Sequence, residues 1–128
     1  MGRIIAPVVV TNALHPARKL RFDALVDTGT AGLVLPKAWK RRLGALKVTQ
    51  VVEMETADQR VIKGEVCGPV AIRIDGFRTI SSEVFFLDMR PKNGDYEPLI
   101  GYIILEQSQA AVDMTGHRLV AVKHFDLK

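Results

Sequence analysis

Asp27 closes an apolar run in ALVDTGTAGLVLP (residues 24–36) and is followed at once by Thr28 and Gly29. The residues before it suit a buried strand, where an ionised carboxylate is costly unless it is hydrogen-bonded, paired or used. Two chemistries are open to such a group. It can take a proton from water as a general base, or it can cap a turn by accepting backbone N–H groups just ahead of it. Other reactive side chains are sparse. Cys67 is the one cysteine, which excludes an internal disulfide, and a lone thiol in a strand-like run reads as a small buried hydrophobe. His15, His117 and His124 form no cluster at metal-ligand spacing, so neither a metal nor another cofactor is expected.

The elements that must position Asp27 read as mostly β. Strand patterns occupy 4–10, 19–26, 47–54, 60–66, 70–74 and 82–87, where β-branched or alternating residues run between turn signals. Asp75-Gly76 predicts a hairpin turn, and Lys92-Asn93-Gly94-Asp95 predicts a loop. Short helices are expected only at 36–43 and 102–108. With 128 residues, 48% of them hydrophobic and 25% charged, the chain fits one domain spanning 1–128, a barrel-like β fold with one or two short helices. No linker or fixed-period repeat interrupts it, although Leu25-Val26-Asp27-Thr28-Gly29 is faintly echoed by Leu99-Ile100-Gly101.

The formal charge of +4 and the cluster Lys37, Lys40, Arg41 and Arg42 raise the question of nucleic acid. Pro36 before that cluster, Gly44 after it, and Trp39 and Leu43 four residues apart instead describe a short helix whose basic side faces water. No aromatic residues interleave for base stacking, so a nucleic-acid partner is not expected. The apolar stretch Ile4–Val10 contains Pro7 and falls far below the roughly 20 residues of a membrane-spanning helix. It also lacks a secretory cleavage pattern, so the expectation is a cytoplasmic protein with no membrane partner.

Three separated pieces, in order over residues 19–122, resemble the single-domain, retroviral-type aspartic proteases, the retropepsins, including their bacterial-type members. The first is ALVDTGTAGLVLP. The resemblance implies that Asp27 is catalytic, that the Thr28 hydroxyl locks two active-site loops together and that Gly29 allows the tight turn. Thr30 stands where Ala or Ser is usual and retains a hydroxyl that can bond to the carboxylate. The second piece, EMETADQRVIKGEV (53–66), looks like the flap, a hairpin closing over substrate with Thr56, Ala57, Asp58 and Gln59 at its tip. Gln59 occupies a position where many members carry Gly, and Asp58 could supply the turn geometry instead. The third, EPLIGYIILEQ (97–107), would pass Leu99, Ile100 and Gly101 beside the catalytic loop, with Tyr102 in place of the Arg common in retroviral members. The implied fold is a closed β-barrel, one lobe per chain.

Hydrolysing an amide without a metal, Cys or Ser nucleophile requires a base to activate water and an acid to polarise the carbonyl, and two adjacent carboxylates sharing one proton supply both. The chain offers one Asp-Thr-Gly. Asp113-Met114-Thr115-Gly116 is interrupted by Met114 and reads as a strand-turn-strand passage. The expectation is therefore a homodimer that pairs Asp27 with its symmetry mate and cleaves an extended peptide or protein substrate. Arg3–Val10 and Leu119–Phe125 are the candidate interface strands, and Leu33, Val52, Val84 and Ile100 are candidate apolar pocket residues. Two other readings stay open on the sequence. One is a retropepsin-fold module that dimerises or binds peptides without cleaving them, and the other is a plain small β-barrel that binds a small ligand or RNA and in which Asp27 only caps its turn.

Overall fold

The computed structural model describes residues 3–55 and 58–122. Nine strands and two short helices follow one another as β1 (Ile5–Asn12), β2 (Lys19–Val26), β3 (Leu33–Pro36), a 3-10 helix (Lys37–Leu43), β4 (Lys47–Glu55), β5 (Val61–Ile74), β6 (Thr79–Leu87), β7 (Leu99–Ile100), α1 (Tyr102–Ser108), β8 (Ala110–Asp113) and β9 (Arg118–Ala121). The main sheet runs β1-β2-β7-β3-β6-β5-β4, and β1 also pairs with the C-terminal half of β5. That second pairing closes six strands into a ring and leaves β4 outside it. The expected mostly-β closed barrel is the fold of this chain.

Alternation drives the closure. Ala6, Val8, Val10 and Asn12 of β1 point inward, as do Leu20 and Ala24 of β2 and Val70, Ile72 and Ile74 of β5. They meet Leu33, Leu35, Val84, Phe86, Ile100 and Ile104 in one continuous core. Among the described residues two polar side chains are buried, Asn12 and Ser108, and Asn12 is fully used. Its Nδ2 donates to the carbonyls of Leu43 (2.8 Å) and Ala45 (2.9 Å), and its Oδ1 accepts from the amides of Leu14 (2.9 Å) and His15 (3.2 Å). It thereby fastens the β1–β2 turn to the end of the 3-10 helix.

The structure sharpens several of the expectations from sequence and revises others. The runs 60–66 and 70–74 form one 14-residue strand, β5, which passes through Gly68-Pro69 with a register shift between Cys67 and Val70. Pro69, which lacks a donor, is accommodated at that irregularity. The segment after Pro36 is a 3-10 helix, with Leu43 buried and Gly44 at φ +74° beyond its end. The N-terminal run is no open edge, because Val8–Thr11 of β1 is paired on both sides, with β2 and with β5. Only Arg3, Ile4 and the first residues of β1 retain a free edge. On the C-terminal side β9 pairs with β8, and residues 123–125 of the second candidate interface run lie outside the described residues. No helix among the described residues is long and apolar enough to cross a membrane.

Candidate active site

Asp27 follows the last residue of β2, and its backbone and side chain are both held. Its N–H donates to the Ile100 carbonyl at 2.9 Å, and its carbonyl accepts from the Thr30 amide at 3.1 Å. The carboxylate Oδ1 accepts from the Gly29 amide at 3.0 Å, and Oδ2 accepts from Thr30 Oγ1 at 3.1 Å. Each oxygen thus takes one bond from its own loop and keeps lone-pair capacity for something else. At Gly29 an added Cβ would stand 3.3 Å from Asp27 Oδ1, a tight contact that would press on the carboxylate. The Thr30 hydroxyl makes the bond to the carboxylate that the sequence allowed.

Two residues of β7 wedge this loop open. Leu99 and Ile100 pair in parallel with Leu25 and Val26 on one side and antiparallel with Val34 and Leu33 on the other. They separate β2 from β3, so the connection 27–32 cannot collapse into a hairpin. The start of α1 then closes over it: the amides of Gly101, Tyr102 and Ile103 donate to the carbonyls of Gly32 (2.9 Å), Thr30 (2.8 Å) and Ala31 (2.9 Å). First-turn amides of a helix have no partner within it, and here the Asp27 loop supplies their acceptors. The fit admits only glycine at 101, because a Cβ would lie 2.3–2.4 Å from backbone atoms of Thr30 and Ala31.

Asp27 and Thr28 open onto a concavity of about 430 Å³ whose other walls are Arg3, Ile4, Leu25, Val26, Val112 and Met114. Arg3 is fixed to the segment before β7 by an ion pair with Glu97. Val112 and Met114 come from the β8–β9 hairpin, and no local sequence signal places them here, since that hairpin is positioned by packing beside α1. Between them Asp113 turns away. Its Oδ1 accepts from the Gly116 amide (3.0 Å) and its Oδ2 from Arg118 Nε (3.3 Å), and these donors, the Gly116 amide foremost, hold its carboxyl below the usual range. Asp113 is a turn residue, as its sequence context implied.

Of the residues the sequence singled out, Asp27, Thr28, Gly29, Leu99, Ile100 and Gly101 are brought together around one loop. Thr28 is exposed, and its hydroxyl has no partner among the described residues. The flap hairpin exists, with Glu55 opposite Val61 at its neck. Thr56 and Ala57 lie outside the described residues, whereas Asp58 and Gln59 are exposed at the tip. Gln59 itself takes the left-handed conformation, φ +62°. Leu33, Val84 and Ile100 are corrected from pocket residues to core: Leu33 faces both of the others across paired strands and all three are fully buried, while Val52 is half-buried on β4. Burial pushes the Cys67 thiol up, which suits a packing residue and not a nucleophile. No group of His, Cys, Asp and Glu among the described residues could hold a metal ion.

Against known proteins, the chain has no match among curated sequences. Among solved structures it is similar to EIAV protease complexed with the inhibitor HBY-793, at 21% identity over 81% of this chain and 86% of that one, with a TM-score of 0.60. At that identity the likeness is one of fold. Residues 10–103, which contain the Asp27 loop, the flap hairpin and the β7–α1 corner, match the family model described as aspartyl protease. This chain belongs to the aspartyl protease family.

Proposed function

We propose that the protein is an aspartic endopeptidase that cleaves extended polypeptides as a homodimer, with Asp27 from each copy forming one dyad. The observation that carries this is the contrast between two carboxylates. Asp27 receives one donor per oxygen from a rigid loop and faces an open concavity, whereas Asp113 is consumed by its own turn. A single chain therefore offers one free carboxylate at the site, and a two-fold axis is the economical source of the second. The partnerless Thr28 hydroxyl and the exposed Met114 and Val122 suit a surface that meets a second copy.

In such a pair the two carboxyls share one proton, because like charges at that separation cannot both ionise readily. The ionised member takes a proton from water as its oxygen attacks the carbonyl carbon, and the protonated member gives its proton to the carbonyl oxygen. The carboxyl that took the water proton then gives it to the amide nitrogen while the other carboxylate takes a proton from a hydroxyl of the tetrahedral diol, so the C–N bond breaks, acid and amine products form, and the pair again holds one proton. Two expectations follow. Asp27→Asn keeps the shape of the side chain but cannot act as base, so peptide hydrolysis should be lost while circular dichroism stays native. Undiminished cleavage by that variant would remove Asp27 from the chemistry. The rate should also pass through a maximum with pH, falling where both carboxyls are protonated and where both are ionised. Activity rising steadily into alkaline pH would point to another base. A folded dimer that binds peptides and cleaves none, across a diverse peptide library from acid to neutral pH, would make the chain a binding module.

A further inference from the structure

The outer face of β1 carries an ordered pattern of charge that the proposed dyad does not use. Val9 pairs with Arg21 on β2 and with Arg73 on β5, so two guanidinium groups flank it on one face of the barrel. Their Cα atoms are two strand spacings apart, about 10 Å. One row further along, Pro7 pairs with Asp23, and the Asp75 amide donates to the Pro7 carbonyl at 2.9 Å, which places two carboxylates on either side of Pro7. One row in the other direction, Thr11 pairs with Lys19 and Ala71. These rows line a groove of about 510 Å³ bounded by Pro7, Val9, Arg21, Asp23, Arg73 and Asp75, continuous with an adjoining one of about 270 Å³ that reaches Lys19.

All five charged residues are exposed, and none of their side chains enters a hydrogen bond or ion pair among the described residues. The arginines stand one row from the aspartates without pairing to them. Elsewhere this chain does pair its charges, as Lys40 with Glu65 (3.1 Å) and Arg118 with Asp113 (3.3 Å) show. The rows repeat every second residue, about 6.7 Å, which is also the spacing of same-side residues in any extended peptide. The backbone of β1 is already paired on both sides across the middle of the groove, so an occupant is read by its side chains, not by strand addition.

We propose that this groove docks an extended polypeptide segment whose alternate side chains read acidic, acidic, basic, outside the catalytic concavity. The first acid meets Lys19, the second meets Arg21 and Arg73, which grip it from both sides, and the base lies between Asp23 and Asp75. A uniformly anionic polymer would satisfy the first two rows and be repelled by the third, so the pattern selects a mixed-charge peptide over nucleic acid.

The test uses the Asp27→Asn protein, so that binding is measured where no cleavage occurs and failure here is separable from failure of the peptidase reading. A fluorescein-labelled peptide containing Glu-Val-Glu-Val-Lys is titrated by fluorescence anisotropy against that protein. Combining Arg21→Glu with Arg73→Glu is expected to weaken binding about tenfold or more, since two direct charge contacts become repulsive. Arg90→Glu with Lys92→Glu makes the same net-charge change at exposed sites elsewhere and should alter it by about twofold at most, as screening predicts for distant surface charges. The charge-mirrored Lys-Val-Lys-Val-Glu peptide should not bind. The proposal is overturned by absence of binding, by equal effects of the two double variants, or by equal affinity for the mirrored peptide, polyglutamate or a single-stranded oligonucleotide.

Discussion

Gly101 leaves no room for a side chain, and the atoms that exclude it are backbone atoms of the Asp27 loop, not flexible side-chain ends. Gly101→Ala must therefore push the start of α1 away from Thr30 and Ala31, breaking the three amide-to-carbonyl bonds that seat it. A loss of about 3 kcal/mol is expected, at the upper end of overpacking effects, with a matching fall in Tm and in any hydrolysis. A thermal melt by circular dichroism checks this, and an unchanged Tm would contradict the seating. At this scale the sequence was readable wherever the backbone itself makes the demand. Asp27, Thr28, Gly29 and Gly101 stand out because Asp-Thr-Gly after an apolar run and Leu-Ile-Gly before a helical segment occur together in order, since either alone is common in turns. Arg3 and Ile4 were readable only as part of the candidate interface run Arg3–Val10, and Val112 and Met114 not at all, since they reach the site only through tertiary packing. Leu33, Val84 and Ile100 misled for a related reason: an apolar residue next to a catalytic loop can face the cleft or the core, and the strand pairing decides which.

Among the elements, the β8–β9 hairpin offers a pH test. The Gly116 amide, first, and Arg118 favour the ionised form of Asp113, so its folded pKa lies below its unfolded one. The stability this gives is fully present above the unfolded value and is lost as pH falls through the folded one. Asp113→Asn should lower Tm at neutral pH, and the gap from the native protein should close on acidification below about pH 4. A gap that stayed constant or widened in acid would show that the carboxylate is not the cause. Long, alternating or well-capped elements were legible in the sequence: β2 spans the expected 19–26, and α1 spans 102–108 with Gly101 before it. Strand β3 was not, because Leu33–Pro36 is buried at every position and shows no alternation. The two-residue β7 was read only as a loop-side segment, since its pairing partners lie far away in sequence. Strand β5 appeared as two because Gly68-Pro69 reads as punctuation, while tertiary pairing with β1 and β6 carries the strand through it.

For the whole molecule, the closed ring explains how the Asp27 loop is held in place. The ring of paired strands holds the Asp27 loop through β2, β7 and β3, yet leaves its carboxylate on a concavity whose remaining walls come from the chain start and the β8–β9 hairpin. Of that lining, Arg3, Ile4, Val112 and Met114 lie outside the segment that matches the family model, 10–103. A homodimeric enzyme also predicts that specific activity falls on dilution. The central claim, that Asp27 is one half of a dyad shared between two copies, is tested most directly by mixing native protein with Asp27→Asn at constant total concentration, allowing exchange, and measuring peptide hydrolysis against composition. If the dyad is shared, activity follows the square of the native fraction, because only pairs of native chains hold two working carboxyls. Activity proportional to the native fraction would mean that each chain cleaves on its own and would contradict the account.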